Sequence, residues 1–194
     1  MFLTDRITIF ALIVTLFVRS VNALNPDDVW YATKQATNET GIFAASRAHV
    51  LRLGPGEDLL DSLWRYARVT KIKAASVVSV VGSLTDTNIR YANQEDGSQL
   101  HGHFEIVSVV GNIDFQATGT SNNEGSGHIH MSVSDGQGVT VGGHVLSGNV
   151  VYTTAEITML EMSDGLFTRM LDNSPAGSGY YELQVHHTKR ESSP

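Results

Sequence analysis

One segment of this chain has helical periodicity, and almost everything after it alternates as β-strands do. Between Leu59 and Ala67 the apolar residues recur every three or four positions, with acidic residues before them and basic residues after them, as the helix dipole favours. Residues 74–81 are small residues and valines, typical of a buried strand that ends at Gly82. The other predicted strands are 49–53, 89–91, 103–110, 128–133, 139–146, 150–162 and 180–186, and residues 92–102 are predicted to be a loop.

This pattern predicts an α+β fold. One main helix among about seven strands, most of them joined as hairpins, should pack on one face of a largely antiparallel sheet. The chain has 194 residues, which is room for one well-cored domain with short tails. We place the domain at 43–188, between a polar N-terminal arm at 24–42 and a C-terminal tail at 189–194.

The first residues predict export from the cell. The apolar run 7–18 is about a dozen residues long, whereas a membrane-spanning helix needs roughly 20. Small residues at Val21 and Ala23 suit signal-peptidase cleavage, so residues 1–23 are interpreted as a signal peptide. An uncleaved signal anchor is the alternative. Cleavage would leave no membrane span and a secreted protein, and Asn38 begins a sequon for glycosylation.

Composition argues against a nucleic-acid partner. The formal net charge is −7, and removal of Arg6, Arg19 and Asp5 with the signal peptide would leave 11 basic and 19 acidic residues. The basic groupings are too short to follow a phosphate backbone. The chain has no cysteine, which excludes disulfides and thiolate metal ligands.

Three histidines form the strongest site candidate. His128 and His130 lie two residues apart on a predicted strand and therefore point to the same face. The midpoint between His130 and His144 is Gln137, in a predicted turn, so a regular hairpin places these two histidines opposite each other. Three imidazoles with an open fourth position suit catalytic zinc, and copper or nickel also suit imidazole. The trio could equally hold a structural ion or line a pocket.

Four other residues are candidates for the pocket or for contacts with the metal ligands. Glu105 shares a strand face with His103, and Glu156 lies among threonines, so either carboxylate could act as a general base or orient a ligand histidine. The alternative is a carboxylate paired with an arginine, such as Arg169, at a subunit contact. The chain has no G-x-S-x-G, P-loop, G-x-G-x-x-G or H-E-x-x-H motif, and whether the site is catalytic stays open.

The succession of short motifs resembles the plants-and-prokaryotes conserved (PPC) domain family, in its form without an AT-hook. The motifs are Gly56-Glu57-Asp58, Gly82-Ser83-Leu84, Gly102-His103-Phe104-Glu105-Ile106-Val107, His128-Ile129-His130, Gly142-Gly143-His144 and Phe167-Thr168-Arg169. The resemblance spans about 49–187 and implies an antiparallel sheet with one helix, assembled as a homotrimer. It also implies a metal site, usually taken as zinc, at His128, His130 and His144.

Plant members of the family are nuclear and join the domain to an Arg-Gly-Arg-Pro peptide, which this chain lacks. Their Gly-Arg-Phe-Glu-Ile-Leu segment contacts transcription factors, and here His103 replaces its arginine and Val107 its leucine. Three hypotheses follow. The first is a secreted zinc-binding trimer that binds or processes a small molecule; the others are a non-enzymatic protein-interaction module and a DNA-associated or transcription-associated factor.

Overall fold

The computed structural model describes residues 44–114 and 126–188, and the predicted signal peptide, polar arm, sequon and C-terminal tail lie outside these ranges. The elements of the described part are β1 (Ser46–Leu53), α1 (Leu59–Thr70), β2 (Ala74–Arg90), β3 (Ser98–Asp114), β4 (Ser126–Ser134), β5 (Thr140–Val145), β6 (Val150–Met162), β7 (Gly165–Leu171) and β8 (Tyr181–His187). No helix in these ranges has the length and apolar character needed to cross a membrane.

Six strands form one antiparallel sheet in the order β1-β6-β2-β3-β4-β5. The last strand, β5, also pairs with the end of β2. Strands β2, β3, β4 and β5 therefore form a closed circuit of pairings, and β5 has a partner on each side. Strands β7 and β8 pair only with each other, in a separate two-stranded sheet.

Helix α1 forms where the apolar spacing predicts it. Asp58 caps its N-terminus by accepting a hydrogen bond from the Asp61 N–H at 2.9 Å. Lys71 ends it in the left-handed conformation, with φ 58°. The helix buries Leu59, Leu60, Leu63 and Ala67, and these join the apolar side chains of one sheet face in a single hydrophobic cluster. The prediction of one helix against a mainly antiparallel sheet is confirmed.

Three details of the predicted strands were wrong. β2 does not end at Gly82 but continues to Arg90, because a glycine there lets β6 approach so closely that a Cβ would lie 2.8 Å from the Ala155 Cα. β3 begins at Ser98, inside the predicted loop. The predicted strands 74–81 and 89–91 are parts of the single strand β2, and β7, which the sequence pattern missed, brings the described residues to eight strands rather than about seven.

Candidate metal centre

Strand β4 presents two histidines on the sheet face opposite α1. Ile129 and Met131 point into the core, with 2% and 3% of their surfaces exposed, whereas His128 and His130, which alternate with them, are exposed. On the neighbouring strand His144 is half-buried and pairs directly with His130. The hairpin therefore has the register that its turn predicted, and it brings three imidazoles to one place.

The three imidazoles are close enough to share one ion. One ring nitrogen from each of His128, His130 and His144 can be chosen so that all three lie within 4.8 Å of one another. The Nε2 atoms of His128 and His130 are 3.0 Å apart. Two nitrogens at zinc-ligand distance in a tetrahedral site are about 3.3 Å apart, so modest side-chain rotations would complete the arrangement. The donor set of three imidazoles therefore fits zinc.

Two glycines before His144 allow this approach. A Cβ on Gly142 would lie 2.8 Å from the Met131 carbonyl oxygen. A Cβ on Gly143 would collide with the Arg90 carbonyl and lie 2.6 Å from the Ile89 Cγ2. Since larger residues would push β5 away from both its neighbours, the Gly-Gly pair positions His144 against β4 and β2.

Burial and nearby cations keep two of these histidines neutral. Burial, followed by the charge of Arg90, lowers the pKa of His144 to about 4. Burial, followed by the charges of His130 and Arg169, lowers the pKa of His128. Neutral imidazole is the form that binds a metal ion, so the surroundings suit metal binding at neutral pH. The Nδ1 atom of His144 is buried and makes no hydrogen bond within the described part of the chain.

Arg169 is the one of the four additional candidates that lies near the histidines. It reaches them from β7, and its Nε donates to Oδ2 of the fully buried Asp114 at 3.0 Å. Asp114 is the last residue of β3, which pairs with β4. An ion pair with a buried carboxylate fixes the guanidinium beside the site.

The other three candidates lie elsewhere on the sheet. Glu105 pairs with Ser134, at the turn end of the hairpin, and is exposed. The His103 ring stacks on Tyr152 with centroids 4.1 Å apart. Glu156 is exposed on β6, which is not adjacent to β4 or β5. The structure therefore does not bring these side chains to the three histidines.

Arg90 is a neighbour that sequence reasoning missed. It is half-buried at the end of β2 and pairs in register with His144. The pairing of β2 with β5 is long-range, and no local spacing in the sequence indicates it. From the sequence alone, Arg90 would be interpreted as a surface residue at the end of a strand.

A pocket of about 300 Å³ lies between α1 and the β4–β5 hairpin, and His144 is the one member of the histidine group in its lining. It is lined by Leu60 and Trp64 from α1, Gly127 and Ile129 from β4, and residues 144–147. His144 therefore belongs to the histidine group and also contributes to the wall of this open pocket.

Comparison with known proteins identifies the family to which this chain is similar. The sequence profile of the Plants and Prokaryotes Conserved (PCC) domain matches residues 41–163. The bifunctional protein GlmU of Synechococcus sp. (strain JA-3-3Ab) is 36% identical over 148 residues, which are 76% of this chain and 22% of that protein. The AT-hook motif nuclear-localized protein 26 of Arabidopsis thaliana is 34% identical over 126 residues, which are 59% of this chain and 34% of that protein. This chain thus spans a minor part of the length of both curated relatives.

Two solved structures share the fold. A hypothetical protein from Salmonella cholerae-suis has 34% identity and a TM-score of 0.67, covering 75% of this chain and 96% of that one. A metal-containing protein from Archaeoglobus fulgidus has 25% identity and a TM-score of 0.58, covering 73% of this chain and 95% of that one. Both are matched over nearly their whole length, so the same domain also exists as a free-standing protein.

Proposed function

Since this chain belongs to the plants and prokaryotes conserved domain family, as its motifs indicate, we propose that it is a metal-binding domain with zinc at its three histidines. The observation that carries the proposal is the convergence of His128, His130 and His144, whose ring nitrogens lie within 4.8 Å. The metal content of the Archaeoglobus relative supports it. So do the lowered pKa values of His128 and His144, which leave both rings neutral at pH 7.

A centre with three protein ligands leaves a coordination position for a further ligand. His128, His130 and His144 would hold the ion, and zinc in such a site supplies Lewis acidity toward a bound oxygen. The pocket of about 300 Å³ between α1 and the hairpin, which His144 also lines, offers space for an organic group. We therefore propose that the site binds or processes a small molecule.

The proposal extends to assembly and export. The homotrimer is implied by the family, and the sheet face opposite α1 exposes apolar side chains that a second copy would cover, among them Val50, Val78 and Val110. Secretion rests on the signal-peptide pattern of residues 1–23 and glycosylation on the sequon at Asn38. N-terminal sequencing of the mature protein tests the first, and its mass before and after glycosidase treatment tests the second.

Metal analysis of the full chain tests the metal centre directly. The protein is purified without a histidine tag or chelator, and zinc per chain is measured for wild type, for His130→Ala and for the control His101→Ala, whose exposed side chain pairs with Asp86 instead. We expect about one zinc per chain in wild type and in the control, and loss of zinc in His130→Ala. A folded wild type that contains no zinc and takes none up on dialysis contradicts the proposal.

The second candidate is a non-enzymatic interaction module, and the exposed apolar sheet face favours it. In that case a protein partner would bind with equal affinity to wild type and to His130→Ala. The AT-hook relative suggests a third candidate, a DNA-associated factor. The net charge of −7 disfavours direct DNA binding, and a gel-shift experiment with A·T-rich duplex at low salt tests it.

A further inference from the structure

Two arginines flank the histidine group in a chain that is acidic overall. Arg90 lies directly across from His144 in the β2–β5 pairing. Arg169 approaches from β7 and is fixed by Asp114. Residues directly opposite each other in an antiparallel pair have β-carbons about 4.5–5.5 Å apart, so Arg90 lies beside His144, and Asp114, which holds Arg169, pairs with Ser126, two residues before His128. Two guanidinium groups therefore lie beside the histidine group before any metal ion binds, and Asp114 pairs with one of them.

The two guanidinium groups differ in how far they are neutralised. Arg169 donates to Asp114 through its Nε, so its two terminal nitrogens stay available to other acceptors. Arg90 is half-buried, and within residues 44–114 and 126–188 it forms no ion pair and no side-chain hydrogen bond. The N–H groups of the Arg90 guanidinium are therefore available to an acceptor that a ligand supplies.

Among the residues that the structure describes, Glu182 is a second acidic side chain near the site, besides Asp114. Glu182 on β8 is close enough to His128 to favour its protonation. Its Oε1 already accepts a hydrogen bond from the Ser178 hydroxyl at 2.6 Å. Within the described residues Glu182 forms no ion pair with Arg90, whose guanidinium keeps its charge beside His144.

We propose that Arg90 and Arg169 select an oxyanion, a carboxylate or a phosphate group, as the ligand at the open position of the three-histidine centre. This inference rests on the proposed metal function. Guanidinium groups match the oxygens of carboxylate and phosphate because their N–H groups point in parallel pairs. Three neutral imidazoles leave the charge of a divalent ion uncompensated, and an anion bound between the ion and Arg90 would balance both. A neutral or cationic ligand would leave the guanidinium of Arg90 unpaired.

The test uses cobalt in the full chain because Co²⁺ in an imidazole site reports a new ligand through its visible spectrum. The metal-free protein is loaded with Co²⁺, unbound metal is removed, and cobalt per chain is measured. Inorganic phosphate and acetate are then titrated separately, which distinguishes the two sources of oxyanion. The variants are Arg90→Gln, Arg90→Lys and the control Arg52→Gln, an arginine on β1 that donates to Thr154.

We expect one of the two anions to change the spectrum of wild type and of Arg52→Gln. Loss of a charge-assisted hydrogen bond is expected to weaken that binding about 10-fold or more in Arg90→Gln, with an intermediate effect in Arg90→Lys. Cobalt bound to every variant with no spectral response to either anion overturns the oxyanion inference and leaves the metal centre standing, as does equal anion affinity in wild type and Arg90→Gln. Failure of wild type to bind cobalt overturns both.

Discussion

His130 lies directly opposite His144 across the β4–β5 hairpin, with ring centroids 5.7 Å apart. In this pair the side chain of His130 is exposed, whereas that of His144 is partly covered by β2. His128 completes the group from the same strand as His130, with its ring centroid 5.2 Å from that of His144. The geometry of the centre thus depends on the register of one hairpin and on how closely β5 approaches its neighbours.

The pKa of His144 predicts how the stability of the metal-free protein depends on pH. It is about 4 in the folded protein and about 6.5 in an unfolded chain. Between pH 6.5 and pH 4 this histidine is protonated in the unfolded state but neutral in the folded state. The free energy of unfolding therefore falls as the pH decreases through this range. His144→Asn removes this contribution, and its free energy of unfolding should fall less between pH 7 and pH 5 than that of wild type, by roughly 1 kcal/mol after solvent screening.

Urea denaturation in EDTA at the two pH values measures the difference. His101→Asn is the control, because the ring of His101 is exposed on β3 and pairs with Asp86 rather than with the histidine group. An identical pH response in wild type and His144→Asn would show that His144 titrates normally in the folded protein.

Gly111 should be essential for the position of β4. Its φ is +154°, and a Cβ there would collide with the His128 carbonyl and lie 2.6 Å from the Ile129 Cα. Gly111→Ala must therefore push away the strand that carries two of the histidines. We expect a loss of about 2 kcal/mol or more in the free energy of unfolding and weaker zinc binding.

Gly136→Ala is the matched control, because nothing lies within 4 Å of a Cβ added at that turn position. Denaturation midpoints and zinc affinity by competition with a chelating dye are compared for the two variants. Unchanged zinc affinity in a folded Gly111→Ala protein would mean that the centre tolerates displacement of β4.

The parts of the fold and of the site that the sequence predicted correctly are those determined by residues close together in the chain. The apolar spacing of Leu59–Ala67 and the alternation of His128–Met131 are set by residues near in sequence, and both elements form as predicted. The turn at Gln137 similarly fixes the opposition of His130 and His144. These are cases in which one short segment determines its own geometry.

Long-range contacts explain what could not be predicted. A glycine such as Gly82 often indicates the end of a strand. Here it lies inside the long strand β2, at the point where β6 packs too closely for a side chain. Arg90 joins the site only because β2 pairs with β5, and Arg169 only because β7 packs near the end of β3. Glu105 and Glu156 were candidates by residue type, and the sheet order places them away from the histidines.

Asp58 is predicted to stabilise both the N-terminus of α1 and the loop before β6. Its Oδ1 accepts from the Asp61 N–H, and its Oδ2 accepts from the N–H groups of Gly148 and Asn149 at 2.7 and 2.8 Å. Asp58→Ala should reduce the free energy of unfolding by about 2–3 kcal/mol, since it removes a helix cap and two loop hydrogen bonds. Asp96→Ala, in an exposed turn, is the control, and chemical denaturation is the measurement. A difference below about 0.5 kcal/mol between the two variants would contradict this role, because that is the ordinary range for surface substitutions.

The apolar face opposite α1 predicts how copies of the chain associate. Val78 is 55% exposed at the centre of that face, near Val110, whereas Val69 is 76% exposed on the helix. If the proposed trimer forms through the sheet face, Val78→Lys places an ammonium group in the contact, and burying an unpaired charge costs several kcal/mol. We expect a mass of three chains for wild type and for Val69→Lys by light scattering, and a mass of one chain for Val78→Lys with an unchanged circular dichroism spectrum. A trimeric Val78→Lys protein would move the contact to another surface, and a monomeric wild type would overturn the trimer itself.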